Sequence, residues 1–237
     1  DFKPPEFNTH DHLIFEDFLY QLKTFDDLKT SSHPAVKFVE ERKIPQKYYS
    51  QLYFAPEFFK FTNTLLPNKF PSLNGDHPRL IIPFFDKENV FFGYQGRAFG
   101  KENPKYITIM LKEKNKIFGL DRINSNQHIF VVEGPIDSLF LDNCLAVAGA
   151  DFKLDMDEKD YTVIYDNEPR NVEIIKRMEK SIEQNQSIVI WPDNIEEKDI
   201  NDMILSGKTS VEIHRIISKN TFSNLHAKTR LINWKKI

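Results

Sequence analysis

The stretch that most constrains the fold runs from His128 to Asn143. An apolar, β-branched run, Ile129–Val132, ends there on a carboxylate, Glu133, followed at once by Gly134 and Pro135. A run of that length and character is what a buried strand requires. Ile136, Leu139 and Phe140 then recur at helical spacing, with Asp137 among the first of them. Glycine lets the backbone turn, proline suits the first helical turn, and an acid is favourable at the positive end of a helix. Strand, acid, turn and helix in this order put Glu133 at the carboxyl end of a central strand, where open α/β sheets place their ligands.

The arrangement recurs downstream. Leu145–Ala148 reads as a second strand, Thr162–Tyr165 as a third running into Asp166-Asn167-Glu168, and Ser187–Trp191 as a fourth ending in Pro192-Asp193. Val172, Ile175, Met178 and Ile182 mark a helix between strands. Another helix begins at Lys198-Asp199-Ile200-Asn201-Asp202, and Val211, Ile213, Ile216 and Ile217 mark a last one. Strand–helix alternation at this spacing predicts an α/β fold with a doubly wound, mostly parallel sheet.

Upstream, the pattern changes. Phe15, Phe18, Leu19 and Leu22 share helical spacing, and a second helix opens at His33-Pro34 and stops before Pro45. Phe54, Phe58, Phe59 and Phe61 form an aromatic cluster, expected to pack a core rather than to stack bases. Arg79–Phe85 and Val90–Phe99 flank a polar turn, Asp86-Lys87-Glu88-Asn89, and predict a β-hairpin. The expected organisation is a smaller α+β subdomain over residues 1–125, an α/β domain over 126–206, and a helix with a basic tail over 207–237.

The formal charge of −3 conceals a division. Arg79–Arg122 holds nine basic against five acidic residues, Glu133–Asp202 seven against eighteen, and Met203–Ile237 seven against one. That order suits a polyanion held beside a cation-binding pocket, although three differently charged solvated surfaces would read the same. Lys112, Lys114 and Lys116 alternate, so in an extended segment they share one face, close in sequence to Arg97. This points to phosphate contacts, with Arg79 and Lys105 as further candidates. The lone cysteine, Cys144, excludes an internal disulfide framework and a cysteine-rich zinc site within these residues. With no apolar run of membrane-spanning length and no signal peptide, a cytoplasmic protein without membrane contact is expected. Phosphate-loop, Gly-x-Gly-x-x-Gly, His-Glu-x-x-His and Gly-x-Ser-x-Gly motifs are absent.

Acids at the ends of three strands carry the chemistry: Glu133, then Asp166 with Glu168, then Asp193 with Asp199 and Asp202. Converging carboxylates repel one another unless a cation sits among them. Mg²⁺ takes hard oxygen ligands and shares its shell with substrate phosphates, so such a site supports phosphoryl transfer.

These residues carry a resemblance. Val-Val-Glu133-Gly-Pro-Ile-Asp137, Tyr165-Asp166-Asn-Glu168 and Lys198-Asp199-Ile-Asn201-Asp202 resemble the Toprim domain, the metal-binding fold of primases, topoisomerases and some nucleases. Gly93-Tyr-Gln-Gly96-Arg97-Ala, Pro104-Lys105-Tyr106 and Phe118-Gly-Leu120 resemble the basic subdomain that precedes Toprim in bacterial DnaG-like primases. Asp-Asn-Glu-Pro-Arg-Asn and Glu-Glu-Lys-Asp-Ile-Asn-Asp-Met are most similar to primases of T-even-type phages.

The resemblance implies template-directed synthesis of RNA primers on single-stranded DNA from ribonucleoside triphosphates. Mg²⁺ or Mn²⁺ would be held by Glu133, Asp166, Glu168, Asp199 and Asp202, the first three of them catalytic. Arg97, Lys105 and Lys116 would hold phosphates. A replicative hexameric helicase is the implied partner. The family's zinc ribbon is absent here, and since the chain opens on Asp1 rather than Met, it is expected upstream or on a separate chain. Two departures stand out: Asp-x-Asp appears as Asp166-Asn-Glu168, and Asn201 replaces an acid of the last motif. The rival expectations are a Toprim nuclease, and a DNA- or helicase-binding adaptor whose pocket has no turnover.

Overall fold

A computed structural model of the chain describes residues 17–30, 32–148 and 161–237. Two compact units emerge. The first comprises Asp1–Glu41 with Gln46–Lys116, and the second Arg42–Pro45 with Ile117–Ile237. The division falls earlier than the expected 125/126, and residues 207–237 belong to the second unit rather than forming a separate tail.

The first unit is built on an antiparallel sheet of five strands in sequential order: β1 (Lys23–Thr24), β2 (Tyr53–Ala55), β3 (Arg79–Phe85), β4 (Phe91–Ala98) and β5 (Tyr106–Met110). The expected hairpin is present as β3 and β4. Helices α1 (Phe25–Thr30), α2 (Pro34–Glu41) and α3 (Phe58–Leu65) accompany the sheet. The aromatic cluster does pack a core: Phe58, Phe61, Phe91 and Tyr94 are buried together with Leu19 and Ile81. Gly96 on β4 is required for this packing, because a Cβ there would lie 2.2 Å from the Phe58 ring. Of the lead-in helix residues, Phe15 falls outside the described residues.

The second unit contains a six-stranded sheet in the order β11-β10-β9-β7-β8-β6. Its strands are β6 (Ile117–Phe118), β7 (Ile129–Val132), β8 (Cys144–Val147), β9 (Tyr161–Ile164), β10 (Ser187–Val189) and β11 (Thr221–Phe222). The inner four run parallel, and β6 and β11 close the two edges antiparallel. The inner strands are the four read from apolar runs; the two-residue edge strands are too short to leave a period. Their helices are α4 (Pro135–Ser138), α5 (Val172–Glu183), α6 (Ile200–Leu205), α7 (Ser210–Lys219) and α8 (Asn224–Trp234). One face packs Val163, Ile174, Met178 and Ile188 against Ala227, Leu231 and Trp234 of α8, which is why the last residues belong to this core. Among the described residues no helix is long and apolar enough to cross a membrane.

Candidate active site

Parallel strands deliver their carboxyl ends to one edge of the sheet, and the turns there hold the acids. Glu133 follows β7 directly. Its Oε1 accepts from the Asp166 backbone N–H at 3.4 Å, and its Oε2 from Arg177 Nη1 of α5 at 3.0 Å. Burial pushes the Glu133 carboxyl above its ordinary value, against the pull of Arg177. Gly134 then permits a close approach: a Cβ at that position would stand 2.4 Å from Asp137 Oδ2. Asp137, four residues after Glu133, accepts from the Asn201 backbone N–H at 2.8 Å. Burial raises its carboxyl well above the usual range, and Asp199 nearby raises it further.

Asp166 follows Tyr165 at the end of β9. Burial, then Glu133, then Asp199 push its carboxyl up to about 7. Lys198 is the cation placed against this repulsion, with its Nζ 3.7 Å from Asp166 and 3.2 Å from Glu168. The third acidic group comes from α6, where Asp199 is the N-cap and accepts from the Asp202 N–H at 2.7 Å. That cap explains why the helix starts here.

The residue between the two acids of the Asp166-Asn-Glu168 turn joins the two loops. Asn167 N–H donates to the Lys198 carbonyl at 2.6 Å, and its side chain donates to the carbonyls of Ile195 and Glu197 at 2.8 and 3.1 Å. These bonds hold the 166–168 turn against the 195–199 loop, so Lys198 and Asp199 reach Asp166.

Asn201 is buried, and both ends of its amide are engaged by Arg42. Arg42 Nη1 donates to Oδ1 at 2.7 Å, and Asn201 Nδ2 donates to the Arg42 carbonyl at 2.8 Å. Lys43 Nζ also reaches the Ile204 carbonyl at 3.1 Å, at the other end of the same helix. The departure from the usual acid thus has a packing duty of its own.

Sequence reasoning passed over four of these residues. Asp137 stands in the quoted Glu133–Asp137 motif without a role of its own, although its spacing of four from Glu133 is a signal. Arg177 gives no signal, and Lys198 and Asn167 stand in quoted motifs without an assigned role, because each matters through a contact made in three dimensions. Asp193, by contrast, is exposed and lies away from the contacts that join Glu133, Asp137, Asp166 and Asp199.

The basic candidates fall differently. Arg79 is fully buried, and its guanidinium donates to the carbonyls of Gly96, Pro104 and Lys105 at 2.8–3.2 Å. Arg97 is 3% exposed, donating to Tyr106 Oη and the Ala98 carbonyl, with Phe38 against its face. Both arginines therefore sit inside the first unit instead of offering surface to a phosphate, a correction to the expectation from sequence. A guanidinium is weakly hydrated and offers five donors, so it can be buried wherever enough carbonyls converge. Nor does the alternation of Lys112, Lys114 and Lys116 reflect a strand: the chain leaves β5 at Met110 and bends, with Lys114 N–H bonded to the Lys112 carbonyl. Lys105, Lys114 and Lys116 are exposed, and Lys114 pairs with Asp86.

The donor set suits a hard divalent cation, since oxygen ligands from Glu133, Asp137, Asp166, Glu168 and Asp199 are at hand and the excess negative charge is registered in raised carboxyls. Among the described residues no three such side chains are already gathered about one point. Arg177 and Lys198 instead offset part of the charge.

No protein-family profile matches the chain. Its fold is that of primase catalytic cores. It matches the E. coli primase catalytic core with a TM-score of 0.60 at 18% identity, covering 91% of this chain and 83% of that one. It also matches a DnaG primase catalytic domain bound to single-stranded DNA, with a TM-score of 0.59 at 18% identity, covering 95% and 83%. By sequence the chain is a relative of the DNA primase of Enterobacteria phage T4, 36% identical over 217 residues that make up 89% of this chain. The chain spans 63% of that phage protein's length. The resemblance to primases read from the sequence is thus met by a primase relative and by a fold shared with primase catalytic cores.

Proposed function

We propose that the chain is the RNA-polymerase core of a DNA primase, joining ribonucleoside triphosphates into short primers on a single-stranded DNA template. The observation that carries this reading is the acid cluster at the carboxyl ends of β7 and β9, in a chain related to a phage primase. Primer synthesis requires a 3′-hydroxyl to attack an α-phosphate while pyrophosphate leaves, so negative charge accumulates where acids would otherwise repel it. A divalent cation, Mg²⁺ or Mn²⁺, would be held by Asp137, Asp166, Asp199 and Glu168 and would supply the neutralisation. Glu133, clamped by Arg177 and the Asp166 N–H, orients the turn that carries Asp166. Lys198 is the residue that holds Asp166 and Glu168 together when no cation is bound. Lys105 and Lys116 are the exposed candidates for template phosphates. A hexameric helicase and a separate zinc-ribbon module are the partners that the resemblance suggests, in the cytoplasm of an infected bacterium.

The test is to incubate the chain with a single-stranded template, ribonucleotides and Mg²⁺ or Mn²⁺, with and without a zinc-ribbon fragment or helicase, and follow labelled oligoribonucleotides. Asp166→Asn is expected to reduce product by about a thousandfold, as removal of transition-state charge stabilisation does, and Glu133→Gln to reduce it by about a hundredfold or more, as misplacement of the group that carries Asp166 does. Product that survives Asp166→Asn would reject the metal assignment. Cleaved template without nucleotides would favour a nuclease. DNA binding without any chemistry would favour an adaptor.

A further inference from the structure

Beside the acids, the loop Asn167–Asn171 forms one wall of two adjoining cavities in the second unit. The first, of about 320 Å³, is lined by Trp191, Trp234, Asn167 and Asp193 among others. The second, of about 580 Å³, is lined by Glu168, Pro169, Arg170, Asn171 and Lys236. Pro169 and Lys236 border both, so the two form one groove. The sizes fall in the range of small-molecule sites, about 300–1,000 Å³.

The groove is built by specific bonds. Trp191 Nε1 donates to the Tyr165 carbonyl at 2.8 Å, one residue before Asp166. Trp234 Nε1 donates to Asn167 Oδ1 at 3.3 Å, the residue between the two acids. The segment after α8 is fastened along the same loop: Lys235 pairs with Glu179 at 3.2 Å, and Lys236 N–H donates to the Pro169 carbonyl at 2.8 Å. That last bond brings Lys236 beside Arg170. Both are exposed, and neither side chain makes an ion pair among the described residues. The start of α5, capped by Asn171, adds its positive end to the second cavity. Glu168, the acid on that wall, already has Lys198 at 3.2 Å.

One end of the groove therefore presents the edges of two largely buried indoles with two carboxylate acceptors, Asp193 and Glu196, and the other is cationic. A molecule that matches both ends has a flat head with hydrogen-bond donors and a polyanionic tail. We propose that this groove binds a ribonucleoside triphosphate, with its base toward Trp191, Trp234 and Asp193 and its phosphates on Arg170 and Lys236. Choosing a ribonucleotide as occupant rests on the primase reading; binding at the groove does not.

Trp191 and Trp234 are the two tryptophans of the sequence, so intrinsic fluorescence reports on this groove. The experiment titrates GTP with Mg²⁺ into the full chain, following tryptophan emission. Arg170→Ala/Lys236→Ala is the test variant and Arg170→Lys/Lys236→Arg the charge-conserving control, with circular dichroism on each to establish folding. A saturable change in emission is expected, displaced by inorganic tripolyphosphate. The dissociation constant should rise tenfold or more in the alanine pair and recover within about threefold in the control. Unchanged affinity in the folded alanine pair would overturn the proposal, as would an absence of any emission change. Binding of a 5′-triphosphorylated RNA but not of GTP would also overturn it, making the groove a site for the product's end. Primer synthesis is measured in parallel. GTP binding that depends on the two cations without any primer synthesis would keep the groove and reject the primase reading; primer synthesis with GTP affinity unchanged in the alanine pair would do the reverse.

Discussion

Both units bury charge, and they do it in opposite ways. In the first, Arg79 is wholly enclosed, yet three carbonyls accept from its guanidinium. In the second, Glu133, Asp137 and Asp166 lie at one sheet edge near Asp199; burial first, and the neighbouring acids behind it, raise all three carboxyls, and Arg177 and Lys198 only partly compensate. A buried guanidinium whose Nη1 and Nη2 are met by carbonyls, with Nε alone left without a partner, behaves as structure. Buried charges left in mutual conflict persist only where something else needs them, and perturbed carboxylates of that kind gather at functional sites. The distinction separates the arginines, which looked like phosphate contacts in sequence, from the acids.

The contrast can be broken most forcefully at Arg79. Arg79→Ala should cost the first unit about 3 kcal/mol, because one buried and two partly buried carbonyls lose a charged donor and the enclosed side chain leaves a cavity, and Arg79→Lys should restore little. Urea unfolding measures it, and a neutral result would remove the structural reading of that residue.

Asp166 should respond in the opposite direction. Its folded carboxyl titrates near 7 against an ordinary 3.8, so the folded state binds the proton more tightly than the unfolded one. Stability contributed by this group is then complete at low pH and is lost as pH rises from about 4 through about 7. Asp166→Asn is accordingly expected to stabilise the metal-free protein by about 1–3 kcal/mol near pH 8 and not near pH 4, seen in thermal melts at the two values. Destabilisation at the higher pH would mean the acids are not in conflict.

Asn201→Ala, which strips partners from the Arg42 guanidinium and carbonyl, should cost about 1–2 kcal/mol in the second unit by urea unfolding. A change within error would show that the departure from the usual acid has no packing duty. The smallest effect should come from the exposed lysines. Lys116→Ala is expected to weaken binding of single-stranded DNA uniformly across sequences and to reduce its salt slope by about one charge, with no stability change. Lys114→Ala, which breaks a surface pair with Asp86, should change stability by less than about 1 kcal/mol.

Much of this was legible in the sequence, and the limits have physical causes. Ile129–Val132 with Glu133, and Thr162–Tyr165 with Asp166, announce themselves because a buried parallel strand is a nearly continuous run of apolar, β-branched and aromatic residues, and an acid at its end breaks that run. Asp199 could be read as the start of a helix because a capping residue precedes an apolar pattern. These are local facts, fixed by backbone hydrogen bonding and by what can be buried. Three-dimensional contact alone decided that Asp137 joins the acids, that Asn167 clamps one loop to the next, that Arg42 meets Asn201 across 159 positions of sequence, and that Lys236 lies beside Arg170. It also decided that Arg79 and Arg97 are interior. A sequence shows that an arginine carries charge; whether carbonyls or solvent surround that charge depends on strands brought together from far along the chain, and only the folded sheet supplies them.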